Sequence, residues 1–444
     1  MEPSPDTPVN LHGVLNLVHG ELTESVCAEV FQKERVTERN RTWSLHLLLT
    51  FWSEVIVRAP VSLSEHLKDF WSGRDIRSTD EGFFERCRDL SWKFFAALYR
   101  KFVSLVVERA PATFVPELHF LKDSFSNVWI LDGSRLDRIA RKLKITRHLT
   151  CSVLPGCLMA AYDLFRGIAQ RLDFDPDAAT AEVPRAVRLF SDVPENTLVV
   201  GDRAGGIPRM FQALSQRNLW GLFRRHGHVK LRRIKRLARF LHGDTVVEEF
   251  LVKAGDGTTT PVQTLRLIRR RKKKFELLTN VLDPKKLSAV DALKLYRYRW
   301  SVEKLFKQLK CVLNLNRFYA ANANAIAMQV YTAAIVHTAM RITQARLSQD
   351  LQIDPDQLST DRLFMRLASG SEYLVSHTLT LMEVDELNPG LDYNRPNPER
   401  RLTFPLRHIL KSRASPHRPA KRRVAKSGNW KSLRHAMESS PLQT

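Results

Sequence analysis

Between Tyr296 and Lys310 the chain reads Tyr-Arg-Tyr-Arg-Trp-Ser-Val-Glu-Lys-Leu-Phe-Lys-Gln-Leu-Lys. On an α-helix each residue turns about 100°, so Tyr296, Arg299, Glu303 and Lys310 fall within roughly 60° of one another. One carboxylate is thereby flanked by groups that bind phosphate. Leu295, Val302, Leu305, Phe306 and Leu309 form the adjoining stripe, which buries against a core and holds the polar row at its edge. The same row also suits a basic surface helix on which Glu303 is simply the i,i+4 partner of Arg299. Trp300 reads as packing, about 40° off the polar row.

Two more acids have distinctive settings. Asn127-Val-Trp-Ile-Leu131 is a short apolar run that delivers Asp132 and then Gly-Ser, and Thr197-Leu-Val-Val-Gly201 delivers Asp202 in the same way. Each reads as a buried strand with an acid at its carboxyl end. Taken singly, such an aspartate caps a turn or the next helix as readily as it binds a metal. Together with Glu303 in a basic chain, the three suggest phosphodiester chemistry. That chemistry needs an attacking oxygen made competent near neutral pH and a leaving oxygen whose charge is neutralised, and two hard divalent ions about 3.5–4 Å apart supply both. Carboxylates are the ligands Mg²⁺ prefers.

The elements that must position these acids follow from the pattern. Residues 11 to about 120 read as helical, with helix-period apolar runs over Leu45–Val57 and Phe83–Val107. Strands are expected at 127–131, Leu158–Phe165, Gly167–Phe174, 197–201 and Leu219–Phe223, with a helix over Pro208–Gln216, an α/β sheet with acids at strand ends. Residues 225–285 read as β, with strands at Thr245–Val252, Val262–Ile268 and Phe275–Val281. Two dense basic clusters fall in this stretch, Arg232, Arg233, Lys235 and Arg236, then Arg269 to Lys274, with turn signals at His242-Gly243-Asp244 and Gly255-Asp256-Gly257 between them. From Arg401 to the end there are eleven lysines or arginines against one acid, Glu438. A basic, disordered tail is expected from 386 to 444.

Lysine and arginine number 70 against 47 acids, a net charge of +23 and a pI near 10.1, which favours a polyanionic partner over a small neutral substrate. A membrane surface is the weaker candidate, because no run of 18 apolar residues occurs. The N-terminus lacks a basic region followed by an apolar run, so a cytoplasmic protein is expected. Five cysteines, at 27, 87, 151, 157 and 311, form no metal-ligand spacing and are expected to be reduced and mostly buried. Cys151 and Cys157 flank a turn at Pro155-Gly156.

The signature Tyr296-x2-Arg299-x3-Glu303-x6-Lys310, preceded by Leu-Asp132-Gly-Ser and Val-Gly-Asp202-Arg, resembles the DDE transposases of bacterial insertion sequences, in the group typified by IS-four. The resemblance covers about residues 125–315. It implies an RNase H-like catalytic core, a mixed sheet with flanking helices, carrying a β-rich insertion between the second aspartate and the glutamate. Glu303 lies 101 positions after Asp202, and the basic strands fill that gap. The implied organisation is a helical N-terminal domain over 1–120 that binds end DNA, a first part of the core at 125–224, the insertion at 225–285, core completion with C-terminal helices at 286–385, and the tail.

By the same resemblance Asp132, Asp202 and Glu303 bind two Mg²⁺ ions, with Mn²⁺ able to substitute, while Tyr296, Arg299 and Lys310 hold DNA phosphates. The implied partners are the terminal inverted repeats of the protein's own element and a target DNA, engaged by a homodimer associated with the bacterial nucleoid, with no membrane. The implied reaction is cut-and-paste transposition through a hairpin. One departure stands out: Asp202 is followed by Arg-Ala-Gly-Gly, where such proteins often carry an aromatic residue two or three positions on. A Mg²⁺-dependent nuclease without strand transfer and a transposase-derived DNA-binding regulator are the competing readings.

Overall fold

The computed structural model describes residues 4, 6–72, 74, 78–136, 156–177, 180–191, 193–258, 260–271, 275–313, 315, 318–320, 322–370 and 403–411. Helices α1 (His12–Glu21), α2 (Glu24–Glu34), α3 (Leu45–Arg58), α4 (Leu63–Ser72), α5 (Asp80–Asp89) and α6 (Lys93–Val106) precede the sheet. Thr23, Ser44 and Thr79 cap α2, α3 and α5 by accepting hydrogen bonds from backbone N–H groups in the first turn. The single run expected over Phe83–Val107 is two helices, because Leu90 leaves the helical region (ψ 120°) to bury its side chain while its N–H closes α5 on Arg86 O.

Strands β2 (Asn127–Arg135), β3 (Cys157–Asp163), β4 (Ile168–Asp175), β5 (Thr197–Gly201), β6 (Trp220–Arg224), β7 (Lys230–His242), β8 (Thr245–Gly255), β9 (Gln263–Arg270) and β10 (Phe275–Thr279) form one mixed sheet in the order β4-β3-β2-β5-β6-β10-β9-β8-β7. The pairs β4/β3 and β3/β2 are antiparallel, β2/β5 and β5/β6 parallel, and the remaining pairs antiparallel. The basic strands therefore extend the sheet edge-on from β6. β7 was not expected as a strand: two register shifts against β8 and charges on both faces erase its alternation, leaving it an exposed edge.

Alternation within the central strands divides the core between the two faces of the sheet. Val128, Ile130, Leu198 and Val200 join a cluster with α1, α3, α6 and the long helix α11 (Ala323–Asp350), whereas Trp129, Leu131 and Val199 pack with α7 (Glu182–Leu189) and α8 (Pro208–Ser215) on the other side. Helix α11 is buried along most of its length, which is why its sequence shows no single apolar stripe. The N-terminal helices thus share one core with the sheet. Near the other terminus α12 (Thr360–Gly370) is followed by β11 (Thr403–Pro405), which pairs antiparallel with β1 (Pro8–Asn10). The expected disordered tail is corrected here, since within 403–411 Leu406 and Ile409 are buried and need a fixed chain to stay so. The rest of the tail, Cys151 and Lys272–Lys274 lie outside the described residues.

Candidate active site

Register brings the two aspartates together. Leu131 of β2 lies opposite Gly201 of the parallel strand β5, so Asp132 and Asp202 are the next residues on neighbouring strands, whose backbones run about 4.8 Å apart. Asp132 does not end its strand as expected. β2 runs on to Arg135 because its antiparallel pairing with β3 continues, Asp132 opposite Ala160 and Arg135 opposite Cys157. One oxygen of each acid is tied down locally: Asp132 Oδ1 accepts the Gly133 N–H at 2.9 Å and Asp202 Oδ1 the Ala204 N–H at 2.7 Å.

The loop after Asp202 explains the missing aromatic. Phe223 of β6 projects into that space, and a Cβ at Gly201 or Gly205 would lie 2.6 or 2.4 Å from its ring. At Gly206 a Cβ would stand 1.9 Å from the Arg224 carbonyl oxygen. The glycines follow from a ring supplied by a neighbouring strand.

The signature segment is not one uniform helix. α9 (Ala289–Tyr296), capped by Ser288, passes into a 3-10 turn (Arg297–Trp300), then α10 (Ser301–Lys307), then a π turn (Gln308–Val312). Tightening and then widening the spiral changes the angular step, so the row drawn at 100° per residue is redistributed. The apolar stripe survives, with Leu295, Val302, Leu305, Phe306 and Leu309 all buried. Within the π turn Lys310 Nζ donates to Ser134 Oγ at 2.7 Å, and Gln308 Oε1 lies 2.8 Å from His337 Nε2 on α11. Trp300 is 58% exposed, a correction to its reading as packing, and the Arg299 guanidinium stacks 4.1 Å from its ring centre.

Arg299 is the unexpected centre of the arrangement. Buried to 9% exposure, it donates from Nη1 to Asp132 Oδ2 at 3.1 Å and from Nη2 to Glu303 Oε1 at 3.0 Å. The strand acid and the helix acid are thus joined by one cation. Burial pushes the Asp132 carboxyl up to about 6; Arg299 and the Gly133 N–H oppose this, and the carboxylates of Asp202 and Glu303 add to it. Asp132 therefore feels both of the other acids. Tyr296 is pushed to about 12, chiefly by burial, and its ring packs edge-on against Phe275.

The donor set is all oxygen, which suits a hard divalent cation. Among the described residues no three His, Cys, Asp or Glu side chains stand close enough to clasp a metal ion. The guanidinium fills the space between Asp132 and Glu303 and marks where positive charge belongs. A cavity of about 920 Å³ opens beside it, lined by Asp202, Tyr296, Arg299 and Trp300 together with Arg203, Arg224, Arg270 and Arg297. Sequence reasoning missed Glu182, at the start of α7. Its carboxylate would lie 3.3 Å from a Cβ at Gly133, and it lines a small cleft with Asp132 and Asp202. Nothing in its local pattern marks it, since only the β2/α7 packing brings it near.

Residues 146–339 match the family model of the transposase DDE domain, a span that contains Asp202, Tyr296, Arg299, Glu303 and Lys310 and begins after Asp132. This match, over less than half of the chain, agrees with the DDE transposase resemblance that its signature led us to expect. The chain is 27% identical over 158 residues to a candidate transposase of insertion sequence element IS4SA from Synechocystis sp., covering 34% of this chain and 43% of that protein. It is 32% identical over 124 residues to the candidate transposase y4zB of Sinorhizobium fredii, covering 27% of this chain and 33% of that protein. The matches thus span less than half the length of either relative. A piggyBac transposase synaptic complex with hairpin DNA aligns over 92% of this chain and 88% of its own at a TM-score of 0.38 and 11% identity, a likeness too slight to bear on fold or reaction. No helix among the described residues is long and apolar enough to cross a membrane.

Proposed function

We propose that this chain is a DNA transposase that cleaves at the ends of its own insertion sequence and joins them to target DNA by phosphoryl transfer. The observation that carries the reading is the bridging of Asp132 and Glu303 by Arg299, with Asp202 beside Asp132 at the carboxyl edge of two parallel strands. The strand order β4-β3-β2-β5-β6, with three antiparallel strands followed by two parallel ones, supports an RNase H-like core in which β7 to β10 are the insertion.

In this reading the three acids hold Mg²⁺, or Mn²⁺ in its stead, and such ions would lower the pKa of the attacking water and neutralise the leaving oxygen. Arg299 releases one or both acids and turns to a phosphate, for which its planar fork is suited, while Lys310 and Tyr296 fix the neighbouring phosphates. Water first breaks the phosphodiester at the element end and frees a 3′-hydroxyl. That hydroxyl attacks the opposite strand to form a hairpin, and after reopening it attacks the target. The N-terminal helices, residues 1–120, read the terminal inverted repeats, two copies of the chain bridge the two ends, and the protein acts on nucleoid DNA in a bacterial cytoplasm.

The test is incubation of the chain with Mg²⁺, a labelled element end and a target plasmid. Asp132→Asn, Asp202→Asn and Glu303→Gln are each expected to abolish cutting while end binding stays intact, since each removes a ligand charge and no DNA contact. Normal cutting by any of the three, or cutting that survives EDTA, overturns the site assignment. Cutting without joining identifies a nuclease, and binding alone a regulator.

A further inference from the structure

The signature segment divides its side chains between two cavities. Arg297, Arg299 and Trp300 line the large one described above. Tyr298, Ser301, Lys304 and Lys307 line a second, of about 470 Å³, alongside α10. Arg341 of α11 forms its floor, 8% exposed, with Nε donating to Gly167 O at 3.0 Å and Nη1 to Gln344 Oε1 at 2.7 Å and Thr360 Oγ1 at 3.3 Å. Its guanidinium rests 3.9 Å from the Phe114 ring centre. Among the described residues all these partners are neutral. A buried cation whose hydrogen-bond partners are all neutral is costly, and an arriving anion relieves that cost.

Around this floor stand Lys304, Lys307 and Lys411, and the first turn of α12 faces the same space through Thr360. Asp356 and Asp361 also line the cavity, so four cations face two acids. The imbalance selects an anion, and the volume admits a sugar-phosphate unit. Tyr162, which lines the cavity too, is held protonated by burial and can only donate or accept a neutral hydrogen bond.

Cleavage at an element end needs one DNA partner beside Glu303, whereas joining needs two. Two cation-rich cavities opening beside successive parts of the signature segment match that requirement. We propose that the second cavity receives a backbone phosphate of the target duplex while the large cavity holds the element end. The inference rests on the transposase reading and adds to it the path of the second DNA.

The experiment uses the full chain with Lys304→Glu/Lys307→Glu, and with Lys304→Gln/Lys307→Gln as a milder pair should charge reversal impair folding. Cleavage of an uncut end, joining of a precut end to plasmid, and binding of a random duplex to protein already saturated with end DNA are measured separately. Cleavage is expected to stay near wild type, while joining falls at least about tenfold and the salt slope of second-duplex binding drops by about 1 to 2, one unit per lost phosphate contact. Unchanged joining and slope overturn the proposal. Equal loss of cleavage and joining also overturns it, by assigning the cavity to the DNA flanking the element end. If the wild-type chain neither cleaves nor joins, the transposase reading falls, and the duplex-binding arm alone still decides whether this cavity takes a second DNA.

Discussion

Replacing Asp132 by asparagine should make the protein more stable above pH 6, and the size of the effect follows from the burial of that carboxyl. In the folded chain its pKa is raised from 3.8 to about 6, so between those values the folded state holds a proton that the unfolded state has released. Stability of the wild-type chain therefore falls as pH rises through that window, by roughly 1.4 kcal/mol per unit and about 3 kcal/mol in all. Asparagine has no proton to lose, so the penalty disappears. Its carbonyl can still accept the Arg299 hydrogen bond, and the raised pKa already contains what that arginine gives the carboxylate. The net gain is about 3 kcal/mol above pH 6 and close to nothing near pH 4.

For a chain of 444 residues, an unfolding entropy of about 0.9 kcal/mol/K makes this a rise of about 3 °C in melting temperature. Scanning calorimetry in EDTA at pH 4, 5, 6 and 8 resolves the pattern. A variant less stable than wild type at pH 8 would refute the reasoning, because the Asp132–Arg299 bond would then outweigh the burial of the charge. Added Mg²⁺ supplies an independent check without DNA. At tenfold its dissociation constant it stabilises the wild-type chain by about 1.4 kcal/mol, and the asparagine variant should gain less.

Arg299→Ala and Lys310→Ala should impair hairpin formation and joining at least as much as first-strand nicking, since phosphate positioning matters most where the strand is sharply bent; normal hairpins in both variants on a denaturing gel would make these residues structural only. Glu54, buried in α3 beside Arg74, is pushed to about 7 by burial, so Glu54→Gln should stabilise the fold above pH 7 by up to about 3 kcal/mol and leave it unchanged at pH 4, as thermal melts would register. Truncation after residue 411 should lower affinity for all DNA and flatten the salt dependence while preference for the element's own ends survives, which titrations of end and random duplex across a salt series would check.

Much of this architecture was legible because its signals are local. The apolar runs before Asp132 and Asp202, the period of Leu295 to Leu309 and the turn at Gly243 each depend on a few consecutive residues, and each element formed within a few positions of its expected place. What escaped was set by partners distant in sequence. β2 is lengthened by β3, Phe223 makes the glycines after Asp202 necessary, and Ser134 and His337 meet a π turn that uniform helical geometry cannot draw.

Arg299 shows the same division within one side chain. Its spacing from Glu303 announced an i,i+4 pair, and its chemistry announced phosphate binding, yet neither revealed that Asp132 would close the other side of the fork. Both readings hold once the acid cluster is considered without a metal. Carboxylates brought this close repel one another and need a cation, and the arginine one helical turn from Glu303 is the one the fold supplies. A residue that neutralises the acids in the resting protein and grips phosphate during reaction would couple the arrival of DNA to the opening of the metal site. It would also give two of the three acids a cationic partner in the free protein.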